Sequence, residues 1–359
     1  MFKHTPAIKK QFSKAWSLLR RLFSLRIIQI FFIVLFIIIV APIIVFLVLK
    51  PKVQHNINYG VTFSNRYAEA VGLNWREVYI KTLDDLGAKN LRLVAYWDEI
   101  EKTPDEYDYS NIKFQLDEAE KRNLNIILSI GRKVPRYPEC FEPQWWKELP
   151  SNSLRDQALL EYIKETVNTL KVYKSIKIWQ VENEPFWAFG LCKTPEIKKE
   201  TVVKEIELTR TLDPRPILVQ DSGEGGFWRP TYDMGDYLGI SMYRKIWYDF
   251  WGIFLGKFIY FQYPLSHWTY KIKANLVGVP MDKIFVTELQ GEPWGPSINS
   301  ELSDQERDKT MSRNDFLSTI SYAQKSGFKD LYLWGVEWWY FEKTKGNSFY
   351  WDTAKALFR

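Results

Sequence analysis

The sequence predicts an α/β protein: a (β/α)8 barrel preceded by a single N-terminal transmembrane helix. Three observations carry this. A 23-residue apolar run follows a basic N-terminus, eight short apolar runs then alternate with helical stretches, and the fourth and seventh of those runs end in the acids Glu184 and Glu288. Composition agrees, because 46% hydrophobic and 26% charged residues in 359 exclude a disordered, collagen-like or disulfide-dense chain.

Residues 1–26 hold Lys3, Lys9, Lys10, Lys14, Arg20, Arg21 and Arg26 and no acid. The span 27–49 has Gln29 as its one strongly polar side chain and is long enough for a hydrocarbon core of about 30 Å. Pro42 within it is tolerated in a membrane helix. Under the positive-inside rule the basic segment is cytoplasmic and everything after Lys50 lies outside, which predicts a single-pass protein of the cell membrane. A cleaved signal peptide fits less well: its apolar core runs about 7–15 residues, and Pro51-Lys52-Val53-Gln54 lacks small cleavage-site residues. A linker over 50–57 is expected to lead into the barrel domain over 58–359.

The net charge of +6 is an N-terminal property. Residues 51–359 carry about −2, which argues against a nucleic-acid partner. The three histidines, His4, His55 and His267, are too few for a His-based triad or a poly-His metal site. The chemistry is expected to rest on carboxylates, with no metal and no organic cofactor.

Strands are predicted to begin near Asn58, Asn90, Asn123, Ser175, Arg215, Asp236, Lys283 and Lys329. Runs such as Asn125-Ile126-Ile127-Leu128-Ser129 and Ile217-Leu218-Val219-Gln220 suit strands buried on both faces. Thr194-Pro195-Glu196 reads as a helix start, and Ser303 with Glu306 as a capping box opening a helix to about Lys325, stopped by Gly327. An open doubly wound sheet is disfavoured, because no G-x-G-x-x-G or Walker turn follows the first run, Tyr59-Gly60-Val61-Thr62-Phe63-Ser64.

The fourth run ends in Gln180-Val181-Glu182-Asn183-Glu184-Pro185 and the seventh in Val286-Thr287-Glu288-Leu289-Gln290. Acids are costly to bury, and strand carboxyl ends are where barrels keep their active sites. Glu184 and Glu288 are 104 positions apart, three units of about 35 residues, so both can aim at the barrel axis. Two converging carboxylates are the minimum for glycoside hydrolysis; a solvated loop residue or ion-pair partner is the alternative for each.

Asn183-Glu184-Pro185 on strand four and Thr287-Glu288 on strand seven resemble the retaining glycoside hydrolases of clan A, most loosely the cellulase-like members of family 5. The resemblance covers residues 58 to about 340. It implies Glu184 as general acid/base and Glu288 as nucleophile, with Asn183 on the sugar 2-hydroxyl, Arg92 supporting the nucleophile, Tyr243 hydrogen-bonded to Glu288, and Trp334 as the floor of the cleaved sugar's subsite. Many family 5 members carry His-x-Tyr on strand six, whereas this chain has Ser241-Met242-Tyr243. Physically, Arg92 near Glu288 would hold that carboxyl ionised, while apolar walls and a negative neighbour would keep Glu184 protonated.

The chain has 16 tryptophans. Trp97, Trp145, Trp146, Trp187, Trp228, Trp294, Trp334, Trp338 and Trp339 lie at or after strand ends, where indole faces suit an oligo- or polysaccharide; half or more are expected to be core. Trp334 and Trp294 are the expected sugar platforms. Glu337 and Asp221 are candidate sugar-hydroxyl ligands, with loop ion pairs as the alternative. The run 246–263, rich in aromatics, is a second contact with the lipid bilayer, a wall for a lipid-linked or extended glycan, or a long loop with its own small core. Cys140 and Cys192 follow neighbouring strands and either pair or remain buried thiols. A transglycosylase acting on envelope polysaccharide, and a silent membrane-tethered glycan-binding barrel, are the competing functions.

Overall fold

A computed structural model describes residues 6–48, 56–187, 190, 192, 197–248 and 259–359. The N-terminal helix runs Pro6–Val48, so the basic segment and the apolar run are one helix and Pro42 does not end it. Its window Phe23–Ile44 is long and apolar enough to cross a membrane, with no residue buried inside the protein. The expected linker falls mostly on residues 49–55, outside the described ones.

Eight parallel strands close into a barrel: β1 (Asn58–Thr62), β2 (Asn90–Val94), β3 (Asn125–Ile130), β4 (Ile176–Val181), β5 (Ile217–Asp221), β6 (Tyr237–Met242), then β9 (Ile284–Gln290) and β10 (Asp330–Trp334). Each starts within two residues of its expected position. Between β6 and β9 lies an antiparallel ribbon, β7 (Lys245–Tyr248) with β8 (Ile259–Gln262). The aromatic run 246–263 therefore has strand-paired flanks, and its centre, 249–258, lies outside the described residues.

Alternation along the strands sorts two cores. Leu91, Leu93, Trp179, Val219, Ile240, Val286 and Leu331 belong to the main cluster that includes the flanking helices. Ile127, Ile178, Leu218 and Tyr332, with Tyr237 and Phe285, form a separate cluster on the other strand face, the barrel interior. Toward the carboxyl ends this apolar layer gives way to Arg92, Gln180, Gln220 and Thr287, all fully buried.

The helix expected from Ser303 to Lys325 is two helices, Asp304–Met311 and Arg313–Ser326. Ser303 Oγ accepts from Glu306 N, but the reciprocal capping box is at Ser312 and Asp315, where extended backbone at Ser312 breaks the first helix. Gly327, at φ 92°, ends the second in the left-handed conformation, as expected. Thr194-Pro195-Glu196 lies outside the described residues; the helix of that region is described over Lys199–Leu212.

Candidate active site

Polar side chains at the carboxyl ends of the strands converge on Arg92. Nε donates to Gln180 Oε1 at 2.7 Å, Nη2 to Asn183 Oδ1 and Gln220 Oε1 at 2.6 Å each, and Nη1 to Glu288 Oε1 at 2.9 Å. The rigid fork of donors is what makes a fully buried guanidinium tolerable here.

Glu288 reaches this cluster because β9 bulges. Ile240 on β6 pairs with Val286, but Ser241 pairs with Glu288, so Thr287 is an extra residue in the register. Strict alternation would send Thr287 inward and Glu288 outward; the bulge lets both face the interior. Thr287 Oγ1 donates to Gln220 Oε1 at 2.7 Å. Glu288 Oε1 also accepts from Gln220 Nε2 at 2.7 Å, and its Oε2 from the Tyr243 hydroxyl at 3.2 Å. Three donors, one of them cationic, stabilise a charged carboxylate.

Glu184 sits in a different environment. It is buried, and among the described residues the one side-chain hydrogen bond to its carboxyl is from Ser241 Oγ to Oε1, at 2.7 Å. Burial, then the charges of Glu288 and Glu139, push its pKa well above the usual carboxylate range, against the opposing pull of Lys133 and Ser241. Since Ser241 is also the register partner of Glu288, both carboxyls meet at the same point of β6. Two left-handed residues, Glu182 at φ 60° and Glu184 at φ 46°, turn the chain at the end of β4. Gly131 makes room for this turn: a Cβ there, at φ 121°, would stand 2.5 Å from Glu182 Oε1.

A second cluster flanks the first. Arg136 follows β3 and lies between the rings of Tyr67 and Trp334, 3.9 and 4.2 Å from their centroids. It ion-pairs with Glu292 and, at 2.5 Å, with Glu337. Trp334 Nε1 donates to Glu292 Oε1 at 2.8 Å. Burial pushes Glu292 up to about 7 despite Arg136.

Of the site residues expected from sequence, Arg92, Asn183, Tyr243, Glu184 and Glu288 come together. Trp334 lies beside them with Arg136 over its ring, and Trp294 meets the Tyr243 ring edge-on at 5.0 Å. Glu337 is a correction: it is fully buried, its Oε1 accepts from Ser64 N and its Oε2 from Arg136, so it acts as the arginine's counter-ion and presents no carboxylate to a cleft. Asp221 is likewise tied down, accepting from Ser222 N, Trp228 N and Thr231 Oγ1. Trp97, Trp146, Trp228, Trp338 and Trp339 are core. Trp187 is the exposed indole of the set, resting on Gly225 beyond β5. Sequence reasoning missed Lys133, Glu139, Arg136 and Glu292, which lie in loops without periodicity. Gln180 and Gln220, polar residues inside otherwise apolar strands, were a usable signal. The two cysteines are bonded to each other, closing a 52-residue separation. Among the described residues no group of three or more His, Cys, Asp or Glu is arranged to hold a metal ion.

No family model matches the chain, and no curated protein matches it. Solved structures do match in fold. Xylanase 10B from Thermotoga petrophila RKU-1, solved with xylobiose, is 18% identical over 78% of this chain and 82% of its own, with a TM-score of 0.52. An exo-β-1,4-mannosidase from Opitutaceae bacterium strain TAV5 is 16% identical over 84% of this chain, which spans 59% of the mannosidase, with a TM-score of 0.53. The GH5_18 protein of Streptomyces cattleya, solved with GlcNAc, is 12% identical over 79% of this chain and 71% of its own, at 0.50. At these identities the likeness is one of fold: all share the (β/α)8 barrel.

Proposed function

We propose that this barrel is a retaining glycoside hydrolase that cleaves a β-linked glycan by double displacement. The observation that carries the reading is the inequality of its two carboxyls. Glu288 accepts from Arg92, Gln220 and Tyr243, an arrangement suited to an anionic nucleophile, whereas Glu184 is buried beside a negative neighbour and keeps its proton. In the first step Glu288 attacks the anomeric carbon while Glu184 protonates the departing oxygen. In the second, Glu184 takes a proton from water, which displaces the Glu288 ester and restores both groups. Arg92 holds Asn183 Oδ1, which leaves the amide NH2 end for a sugar hydroxyl. Trp334, Trp294 and Trp187 supply aromatic surface for pyranose faces. The names of the solved neighbours, a xylanase and an exo-β-1,4-mannosidase among them, support a carbohydrate substrate at the level of the fold.

The same reading anchors the enzyme through residues 27–49, with the basic N-terminal segment in the cytoplasm and the barrel outside. The run 246–263 is a second candidate contact with the bilayer.

The test is turnover of a panel of aryl β-glycosides by the full chain in detergent, beside Glu288→Ala and Glu184→Ala. Loss of activity in Glu288→Ala, with azide restoring turnover to the inverted glycosyl azide, is the expected result. Glycan binding and tryptophan quenching without turnover of any glycoside would replace it with a glycan-binding function.

A further inference from the structure

One buried lysine holds the segment that carries Glu184. Lys133, three residues beyond β3, is 1% exposed. Its backbone N donates to Glu182 Oε2 at 2.7 Å, and its carbonyl accepts from Asn183 N at 2.6 Å. Its Nζ then donates to the carbonyls of Glu184 and Trp187, at 2.9 and 2.8 Å. These four contacts bracket the stretch in which Glu182 and Glu184 adopt left-handed backbone, a conformation that non-glycine residues keep only where their surroundings over-determine it.

Among the described residues, one carboxylate lies against the ammonium. Glu139 Oε2 lies 3.2 Å from Lys133 Nζ, in a side chain that is 9% exposed. The intervening turn is closed by Glu139 N donating to Arg136 O and by Val134 N donating to Glu139 O. The next residue, Cys140, is bonded to Cys192 beyond β4, so the turn is tied covalently to the chain that follows Glu184. No step of the proposed reaction uses either residue of the pair.

We infer that Lys133 and Glu139 are a positioning pair for Glu184: the lysine, with the Glu139 carboxylate against its ammonium, fixes the backbone that presents the acid/base carboxyl. This rests on the glycosidase reading of Glu184 and Glu288. Ser241 Oγ from β6 bonds the Glu184 carboxyl, and the charges that act on it are those of Glu288 from β9 and of Glu139 and Lys133 from the loop after β3; Arg92 from β2 and Tyr243 after β6 also feel its charge. When Glu288 becomes a glycosyl ester its negative charge is gone, and the balance of Glu139 against Lys133 then governs how readily Glu184 takes the proton from water. Burial pushes Glu139 itself up to about 7, against the opposing pull of Lys133.

The experiment uses the detergent-solubilised full chain with Glu139→Gln, Lys133→Met and Lys133→Arg. Two readouts are taken. One is the pH profile of kcat/KM on the aryl β-glycoside that wild type hydrolyses. The other is infrared titration of the carboxyl band that disappears in Glu184→Gln, which needs no turnover. Glu139→Gln removes a negative neighbour and moves both the alkaline limb and the band to lower pH, by about one unit. Lys133→Met moves them to higher pH and lowers kcat about 10- to 100-fold with KM little changed, and Lys133→Arg restores part of that loss. Shifts in the same direction, no shift, or activity lost only in proportion to melting temperature would overturn the inference. If Lys133→Met fails to fold, Glu139→Gln and Lys133→Arg still decide it. If wild type cleaves no aryl glycoside while the band still moves in opposite directions, the pair stands and the glycosidase reading fails.

Discussion

Arg92 and Glu288 form an ion pair inside the barrel, Nη1 to Oε1 at 2.9 Å, and the same guanidinium holds Gln180, Gln220 and Asn183. Removing one partner of a buried pair costs about 3–5 kcal/mol, because the other charge is left uncompensated. Arg92→Met is therefore expected to lower the melting temperature by roughly 2–4 °C per kcal/mol lost. Lysine cannot replace the fork, since its three donors radiate from one point. Arg92→Lys should fold and still lose about 10²- to 10³-fold in kcat, because Glu288 and Asn183 lose their common anchor. Steady-state kinetics beside thermal melts separate the two effects. Arg92→Lys with near-native kcat would contradict this account.

Ser241 Oγ hydrogen-bonds the Glu184 carboxyl at 2.7 Å. The bond favours the ionised form, so its removal in Ser241→Ala raises the proton affinity of Glu184. The alkaline limb of the pH–rate profile should move upward, with kcat reduced about 3- to 10-fold for the loss of roughly one hydrogen bond. Ser241 Oγ also accepts from Gly223 N at 3.1 Å, so a small loss of stability is expected as well. A downward shift of the limb would be incompatible with the role given to Ser241.

The barrel was legible because strands buried on both faces must be written as unbroken apolar runs, and these appear at regular spacing. Glu184 and Glu288 were legible because an acid at the end of such a run is costly. What sequence could not show was how Glu288 turns inward: the bulge at Thr287 is a property of register between β6 and β9. Glu337 was open between sugar ligand and ion-pair partner, and sequence could not name the partner, Arg136, 201 positions away. The break between the helices at Ser312 did have a local signal, Ser312-Arg313-Asn314-Asp315, overridden by the continuous helical pattern on either side.

The Cys140–Cys192 bond ties the loop after β3 to the chain after β4. Closing a loop of this length restricts the unfolded chain by about 4 kcal/mol in the chain-entropy account. Reduction, or Cys140→Ala with Cys192→Ala, should lower the melting temperature by several degrees. Alkylation before reduction should add no mass, and alkylation after it should add two labels. Two reactive thiols in the native protein would exclude the pairing.

Glu182, just after β4, and Glu205 are two fully buried carboxyls whose charges act on each other. Glu182 accepts from the backbone N of Arg132 and Lys133 at 2.6 and 2.7 Å; Glu205 comes from the helix Lys199–Leu212. Burial, and for Glu205 also the charge of Glu182, raise both pKa values above the ordinary range. The folded state therefore holds protons that the unfolded chain releases once pH passes about 4.5. Stability is fully present below that value and is lost as pH rises toward the folded pKa values, at about 1.4 kcal/mol per pH unit for each proton retained. Glu205→Gln keeps the shape and removes one of the two acids. It should raise the melting temperature at pH 8, change it little at pH 4.5, and flatten the slope between. Melts of wild type and Glu205→Gln across that range test the idea, and an unchanged slope would mean that Glu205 does not hold the retained proton.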